Sequence, residues 1–191
     1  MARVLEVAKK HFTDHGYEGG SLDAIAEASG VSKVTIYSYF PTKAALFEAS
    51  ITHRIDAQFS TTEWSRLDPR KPADALAKIG RGFLALMRSQ DVVNQHRALY
   101  GALGKDTGPA ASFFEAGPLT ITGAVSDYLR AAHRAGSLKV SDPALAGNQY
   151  LALYLGLGHI RMLLGLTPPT KAEDEALVKS NVALFLRAFE R

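Results

Sequence analysis

The stretch VSKVTIYSYF, Val31 to Phe40, sets hydroxyls and an ammonium beside aromatic rings. Ser32 and Thr35 carry short hydrogen-bonding groups of a size that reaches the edge of a base, and Val34 carries the small apolar contact that a thymine methyl accepts. Lys33 brings a positive charge. Tyr37 and Tyr39 can donate their phenol protons to phosphate oxygens while their rings stay packed. Lys43 opens the next helical segment beside the same surface. Together these residue types suit contact with a nucleic acid groove flanked by phosphates.

Such groups work only if a short helix holds them outward, and the flanking sequence provides for this. Val4, Leu5, Ala8 and Phe12 recur at helical spacing and Gly16 follows, which predicts a first helix ending there. Ser21 is an N-cap for a second helix whose inward face is Leu22, Ile25 and Ala26 and which stops near Ala28. Ser32 caps a third, Lys33 to Tyr39, and Pro41 prevents its continuation. Two short helices joined by a tight turn fit a helix-turn-helix, whose second helix enters the DNA major groove, or else an ordinary amphipathic helix pair with a glycine turn. The geometry asks for a small residue where the helices cross, supplied by Ala26. It asks for a residue tolerant of positive φ in the turn, supplied by Gly30. It also asks for apolar anchors behind the exposed helix, and Val31 and Ile36 are spaced for that.

The segment RVLEVAKKHFTDHGYEGGSLDAIAEASGVSKVTIYSYFPTKAALFEA, Arg3 to Ala49, resembles the DNA-binding domain of the TetR/AcrR family of bacterial repressors. The phenylalanine and Gly16-Tyr17 that close the first helix fall in register, as do IAEASGVS, TIYSYF and PTKAAL. The resemblance implies an all-helical homodimer on a palindromic operator, with a larger C-terminal domain sensing a small molecule. Carried over, it makes Ser32 to Tyr39 the recognition helix. Ser32, Val34 and Thr35 become candidates for base contacts, and Lys33, Tyr37, Tyr39 and Lys43 for phosphate. Ser21 becomes a phosphate candidate through the N-terminus of the second helix. Many relatives have a further basic tail, and this chain has almost none before Arg3. Few ionic contacts and a shallow salt dependence are therefore expected. Further on, RALYGALGKDTGPAASFFEAGP and DPALAGNQYLALYLG are similar to an AefR-like C-terminal subgroup, Arg97 and FFEAGP being the clearest matches.

The rest of the chain reads as helix, with no convincing strand alternation. Leu46, Phe47, Ile51, Ile55 and Phe59 share one face of a long helix from Thr42 to Trp64. A helix from about Ala73 to Ser89 turns Leu76, Ile79, Gly80, Phe83 and Met87 inward and Lys78, Arg81 and Arg88 outward. Another spans about Val92 to Leu103. Phe113 and Phe114 precede a break at Gly117-Pro118, and Ile121, Val125, Tyr128, Leu129 and Ala132 trace a helix stopped at Gly136. Asp142 and Pro143 start a helix running to about Leu164, and Thr170 with Glu173 has capping-box spacing for the last. The expected architecture is all-α with about nine helices. Residues 1–47 form the helix-turn-helix domain and 48–191 a helical ligand-sensing and dimerisation bundle.

Gly147, Gly156 and Gly158 each cost a helix roughly 1 kcal/mol against alanine, so something must compensate, most simply the close approach of another helix. That helix belongs either to a second copy across a two-fold axis, the preferred reading, or to the same subunit. The dimer-interface candidates are Leu151, Leu155, Gly156, His159, Val182, Phe185 and Leu186. Family architecture would gather Phe83, Met87, Tyr100, Leu103, Phe113, Phe114, Tyr150 and Tyr154 around a cavity for a small hydrophobic or aromatic effector. Each of them singly also reads as core.

Bulk properties mostly exclude. The 191 residues carry a net charge of +3, and all of that excess lies beyond Arg54, so overall charge alone does not assign a polyanionic partner. There is no cysteine, hence no disulfide and no thiolate chemistry. The longest apolar run, Tyr150 to Gly158, falls far short of the ~20 residues a bilayer needs. The N-terminus has no signal-peptide core, and a cytoplasmic protein is expected. Neither phosphate-binding glycine motifs nor a nucleophile elbow occur, and GALGK has the wrong spacing. Asp174-Glu175 reads as an exposed helix start that favours the dipole. His11 and His15 read as a solvated helix face without a third metal ligand, and His159 as an interface or core residue. No cofactor, metal or catalytic residue is expected. A ligand-responsive transcriptional regulator is the leading reading, and a helical small-molecule carrier or enzyme is the alternative.

Overall fold

The computed structural model describes residues 1–17, 19–58, 61–64, 66–101 and 108–190. All regular structure among them is helical. Leu103 and Phe59 lie outside the described residues, as does the side chain of Ile55. Packing divides the chain into two compact units, Met1–Gln58 with Asn94–Leu119 and Phe59–Val93 with Thr120–Arg191.

In the first unit α1 (Ala2–His15) buries Val4, Ala8 and Phe12, and Gly16 ends it at φ 71°. Next come α2 (Leu22–Ser29), α3 (Lys33–Tyr39) and α4 (Lys43–Gln58). Phe12 meets the Phe47 ring edge-on at 5.1 Å, and Ile25, Ile36, Leu46 and Ile51 complete a small core. The unit also contains the latter part of α7 (Gln90–Gly101), α8 (Gly108–Phe114) and a π-helical turn Glu115–Leu119. That turn stands where a break at Gly117-Pro118 was expected. Its wider winding tolerates the proline ring and the missing N–H inside a helical path.

The second unit holds α5 (Thr61–Trp64), α6 (Pro72–Arg88), α9 (Thr120–Ala135), α10 (Pro143–Ala152), α11 (Leu157–Leu163) and α12 (Lys171–Phe189). Asp142 caps α10 by accepting from the amides of Ala144 and Leu145. Thr170 and Glu173 cap α12 reciprocally. Among the described residues the helical segments exceed nine because one long helix expected from the sequence is divided and α8 is a helix that the spacing did not predict. The helix begun at Lys43 is described as far as Gln58 and Thr61–Trp64 is helical beyond it, with residues 59 and 60 outside the described residues. The helix begun at Pro143 is interrupted between Ala152 and Leu157, and Gly156, extended at ψ −154°, stands as the N-cap of the part that resumes.

Two glycines of that region are explained inside one chain. A Cβ on Gly147 would meet Ser126 Oγ at 2.8 Å, because α9 packs closely on α10, and one on Gly158 would meet Arg88 Nη2 at 2.9 Å. Nothing lies within 4 Å of such a Cβ on Gly156. For Gly147 and Gly158 the close neighbours belong to the same subunit and not to the second copy that was preferred.

Candidate nucleic-acid interface

The turn between α2 and α3 follows from its sequence. Gly30 adopts φ 70°, ψ 22°, the left-handed conformation that costs glycine least. The Gly30 amide donates to Glu27 O and the Val31 amide to Ala26 O, closing α2 with the paired bonds of a Schellman motif. Ser32, in extended conformation, accepts from the Thr35 amide at 3.1 Å and starts α3. Phe40 follows in extended conformation at the end of the helix, ahead of Pro41.

Of α3 only Ile36 is buried, at 0 % exposure, while Val34 stands 80 % exposed and Tyr39 63 %. Ser32, Lys33, Thr35, Tyr37 and Ser38 are exposed as well. Val31 and Ala26 are half-buried behind them. A single apolar side chain thus pins a helix whose remaining circumference faces outward. The Ser32 and Thr35 hydroxyls share a hydrogen bond of 2.9 Å, so each presents its remaining capacity from a fixed position. Lys43 sits 4.7 Å from the centroid of the Tyr17 ring, in a cation–π contact at the base of α4.

Sequence reasoning missed three supports of this surface. His11 is half-buried rather than part of a solvated face, and its Nε2 accepts the Ser21 amide proton at 3.0 Å, tying α1 to the start of α2. Burial first, then neighbouring His15, lowers the His11 pKa. Nε2 must be unprotonated to accept, so the lowered value and the bond agree. Ser21 itself caps α2 by accepting from Ala24 at 3.3 Å. Thr42 accepts from the Ala45 amide at 3.0 Å and caps α4. Asp23, in the first turn of α2, meets Lys33 Nζ at 2.6 Å. Thr42 is a standard N-cap type at a helix start and was legible; the ring of His11 and the carboxylate of Asp23 find partners ten residues away.

The effector candidates fall into two groups. In the second unit Phe83 and Met87 are buried on α6, with the Phe83 and Tyr154 rings 6.2 Å apart. Tyr150 donates to Leu76 O at 2.6 Å and Tyr154 to the Tyr150 hydroxyl at 2.8 Å, so both hydroxyls are used inside the unit. In the first unit Phe113 is buried against His96 at 5.6 Å, whereas Tyr100 and Phe114 are more than half exposed. Among the dimer candidates, Leu151, His159, Val182 and Phe185 are buried within the chain, Leu186 is half-buried, and Leu155 and Gly156 are exposed. The larger exposed apolar groups nearby are Leu157, Ile160, Leu164, Leu166 and Leu184.

The all-helical fold with a projecting α3 defines a helix-turn-helix protein of the DNA-binding class. Residues 4–50 match the family model for bacterial regulatory proteins of the tetR family, and residues 74–191 match the AefR-like transcriptional repressor C-terminal domain. The flavonoid-responsive regulator FrrA is 31% identical in its solved structure, covering 98% of this chain and 95% of its own, with a TM-score of 0.73. A TetR transcriptional regulator from Agrobacterium tumefaciens superposes with a TM-score of 0.79 at 23% identity, covering 99% and 93%. The uncharacterized HTH-type transcriptional regulator YhgD of Bacillus subtilis (strain 168) is 23% identical over 160 residues, 81% of this chain and 80% of that protein. The chain therefore belongs to the TetR family of transcriptional regulators, with an AefR-like C-terminal domain. Such proteins regulate transcription and are not enzymes. Among the described residues no helix is long and apolar enough to cross a membrane.

Proposed function

We propose that this protein is a ligand-responsive transcriptional repressor that acts in the cytoplasm and binds a palindromic operator as a homodimer through α3. The observation that carries the reading is the exposure of α3 around its single buried anchor, Ile36. Ser32, Val34 and Thr35 meet base edges. Lys33, Tyr37, Tyr39 and Lys43 meet phosphates, as does Ser21 at the start of α2. Residues 1–47 form the DNA-binding part and 48–191 the sensing and dimerising part.

Dimerisation through α11 and α12 is supported by the exposure of Leu157, Ile160, Leu164 and Leu166 in one short stretch, an unusual display for a soluble monomer. Two copies would present two recognition helices to successive major grooves, about 34–36 Å apart on the duplex. The effector is a small hydrophobic or aromatic molecule, with Phe83, Met87, Tyr150 and Tyr154 its candidate contacts in one unit and Tyr100, Phe113 and Phe114 those in the other. The relative whose name describes it as flavonoid-responsive supports hydroxylated aromatics as the first compounds to try. Effector binding would favour a conformer in which the two helices no longer match the operator.

Selection of bound fragments from random and genomic DNA, with the mass of the protein in solution, tests this reading. Enrichment of a two-fold symmetric sequence by a dimer is expected. A monomer at micromolar concentration that enriches no sequence would overturn it.

A further inference from the structure

The Lys33 ammonium and the Asp23 carboxylate lie 2.6 Å apart, joining the first turn of α3 to the first turn of α2 across the Gly30 turn. The Asp23 side chain is 73% exposed and that of Lys33 47%, so the pair sits on the surface and not in the core. An exposed pair of this kind changes an equilibrium by a factor of only about two to five, so stability alone gives it little reason to exist. Its position is the informative part. The carboxylate stands beside a lysine that the DNA-binding reading assigns to phosphate, and it brings a negative charge onto the face that meets a polyanion.

We propose that Asp23 is a specificity-determining positioning residue: it fixes where Lys33 delivers its charge and discourages binding to duplexes that α3 cannot read. This rests on the DNA-binding reading above. An ammonium has three donors, and one given to Asp23 leaves two to point outward from a defined place. A complex with a matched operator needs Lys33 at one phosphate, because phosphate contacts set the register in which base contacts form. There the held geometry helps. A non-specific complex draws on phosphate charge without fixed geometry, so the Asp23 carboxylate enters only as repulsion. Glu6 and Asp14 engage Lys9 and Lys10 in the same way on α1, so the N-terminal bases are largely matched by the protein's own acids. The Asp23 hydrogen bond also raises the Lys33 pKa, so the ammonium keeps its proton at every pH at which binding would be measured.

The test compares the wild type with Asp23→Asn, each in the Lys33 and the Lys33→Met background. The probes are a duplex that the wild-type protein selects from a random pool and a scrambled duplex of equal composition. With Lys33 present, Asp23→Asn is expected to tighten scrambled-duplex binding about threefold or more. It should steepen the logarithmic salt slope by about 0.9, one further phosphate neutralised. It should also lower the ratio of selected to scrambled affinity at least fivefold. In the Lys33→Met background the ratio should stay within twofold on the same change. Thermal melting within about 2 °C of wild type would confirm that Asp23→Asn is folded. A ratio that Asp23→Asn leaves intact, or lowers equally without Lys33, overturns the proposal while leaving the DNA-binding reading standing. A wild type that selects no duplex overturns both.

Discussion

The Arg88 guanidinium grips the Asp174 carboxylate from two positions, Nη2 at 2.9 Å from Oδ1 and Nε at 3.2 Å from Oδ2. Arg88 was expected on the outer face of α6, yet its side chain is only 13% exposed and that of Asp174 21%. The pair staples the end of α6 to the first turn of α12. The next residue of α12, Glu175, takes Arg81, two turns earlier on α6. Asp174 and Glu175 thus serve tertiary pairing as well as the helix dipole. Asp174→Ala is expected to destabilise the protein by about 1–3 kcal/mol in chemical denaturation, because it strands a half-buried cation. Arg88→Met combined with Asp174→Leu should recover a large part of the loss. A single-variant loss below about 0.5 kcal/mol would contradict this role.

His11 and His159 make stability fall in mild acid. Burial is the chief cause lowering both pKa values below the ordinary 6.5, with His15 adding to it at His11 and Arg88 at His159. In the window between the lowered folded values and 6.5 the unfolded chain binds more protons than the folded one. Their contribution is therefore fully present above pH about 6.5 and is lost as pH falls through the window. Melting temperatures between pH 7.5 and 5 should decline, and His11→Ala should remove its share of the decline. An unchanged pH profile in that variant would contradict the His11–Ser21 bond.

Gly80 faces the Tyr154 hydroxyl so closely that a methyl there would overlap it. Because Tyr154, Tyr150 and Leu76 O form a hydrogen-bonded series in the interior, the ring cannot simply turn away. Gly80→Ala should therefore cost about 1–3 kcal/mol despite its better helix propensity. A gain in melting temperature would mean that the tyrosine pair is not held as described.

Ile36 and Val34 should separate folding from recognition. Ile36→Ala removes a fully buried anchor and is expected to cost about 2–4 kcal/mol. Val34, 80 % exposed, can be changed to serine with a melting temperature within about 2 °C of wild type and a changed preference among DNA sequences. Equal losses of stability at both positions would argue that α3 is buried.

Legibility in the sequence followed the range of the interactions. Ser21, Gly30, Ser32, Asp142 and the Thr170/Glu173 box act within four residues of themselves, and each stands where its local pattern places it. The exposed face of α3 was readable for the same reason. The inward turn of Arg88 and the close seat of Gly147 on Ser126 depend on neighbours twenty or more residues away, and composition carries no record of them. His11 and Asp23 lie between these cases: ten residues separate each from its partner, but the partner is reached only after two helices have folded against each other.

The outward edge of α3 as a reader of DNA is the central claim, and one binding measurement addresses it. The double variant Lys33→Ala, Tyr37→Ala should keep the circular dichroism and melting temperature of the wild type, since both side chains are exposed. Its affinity for the duplex that the wild type selects should fall at least a hundredfold. Undiminished affinity in the folded double variant would contradict the account.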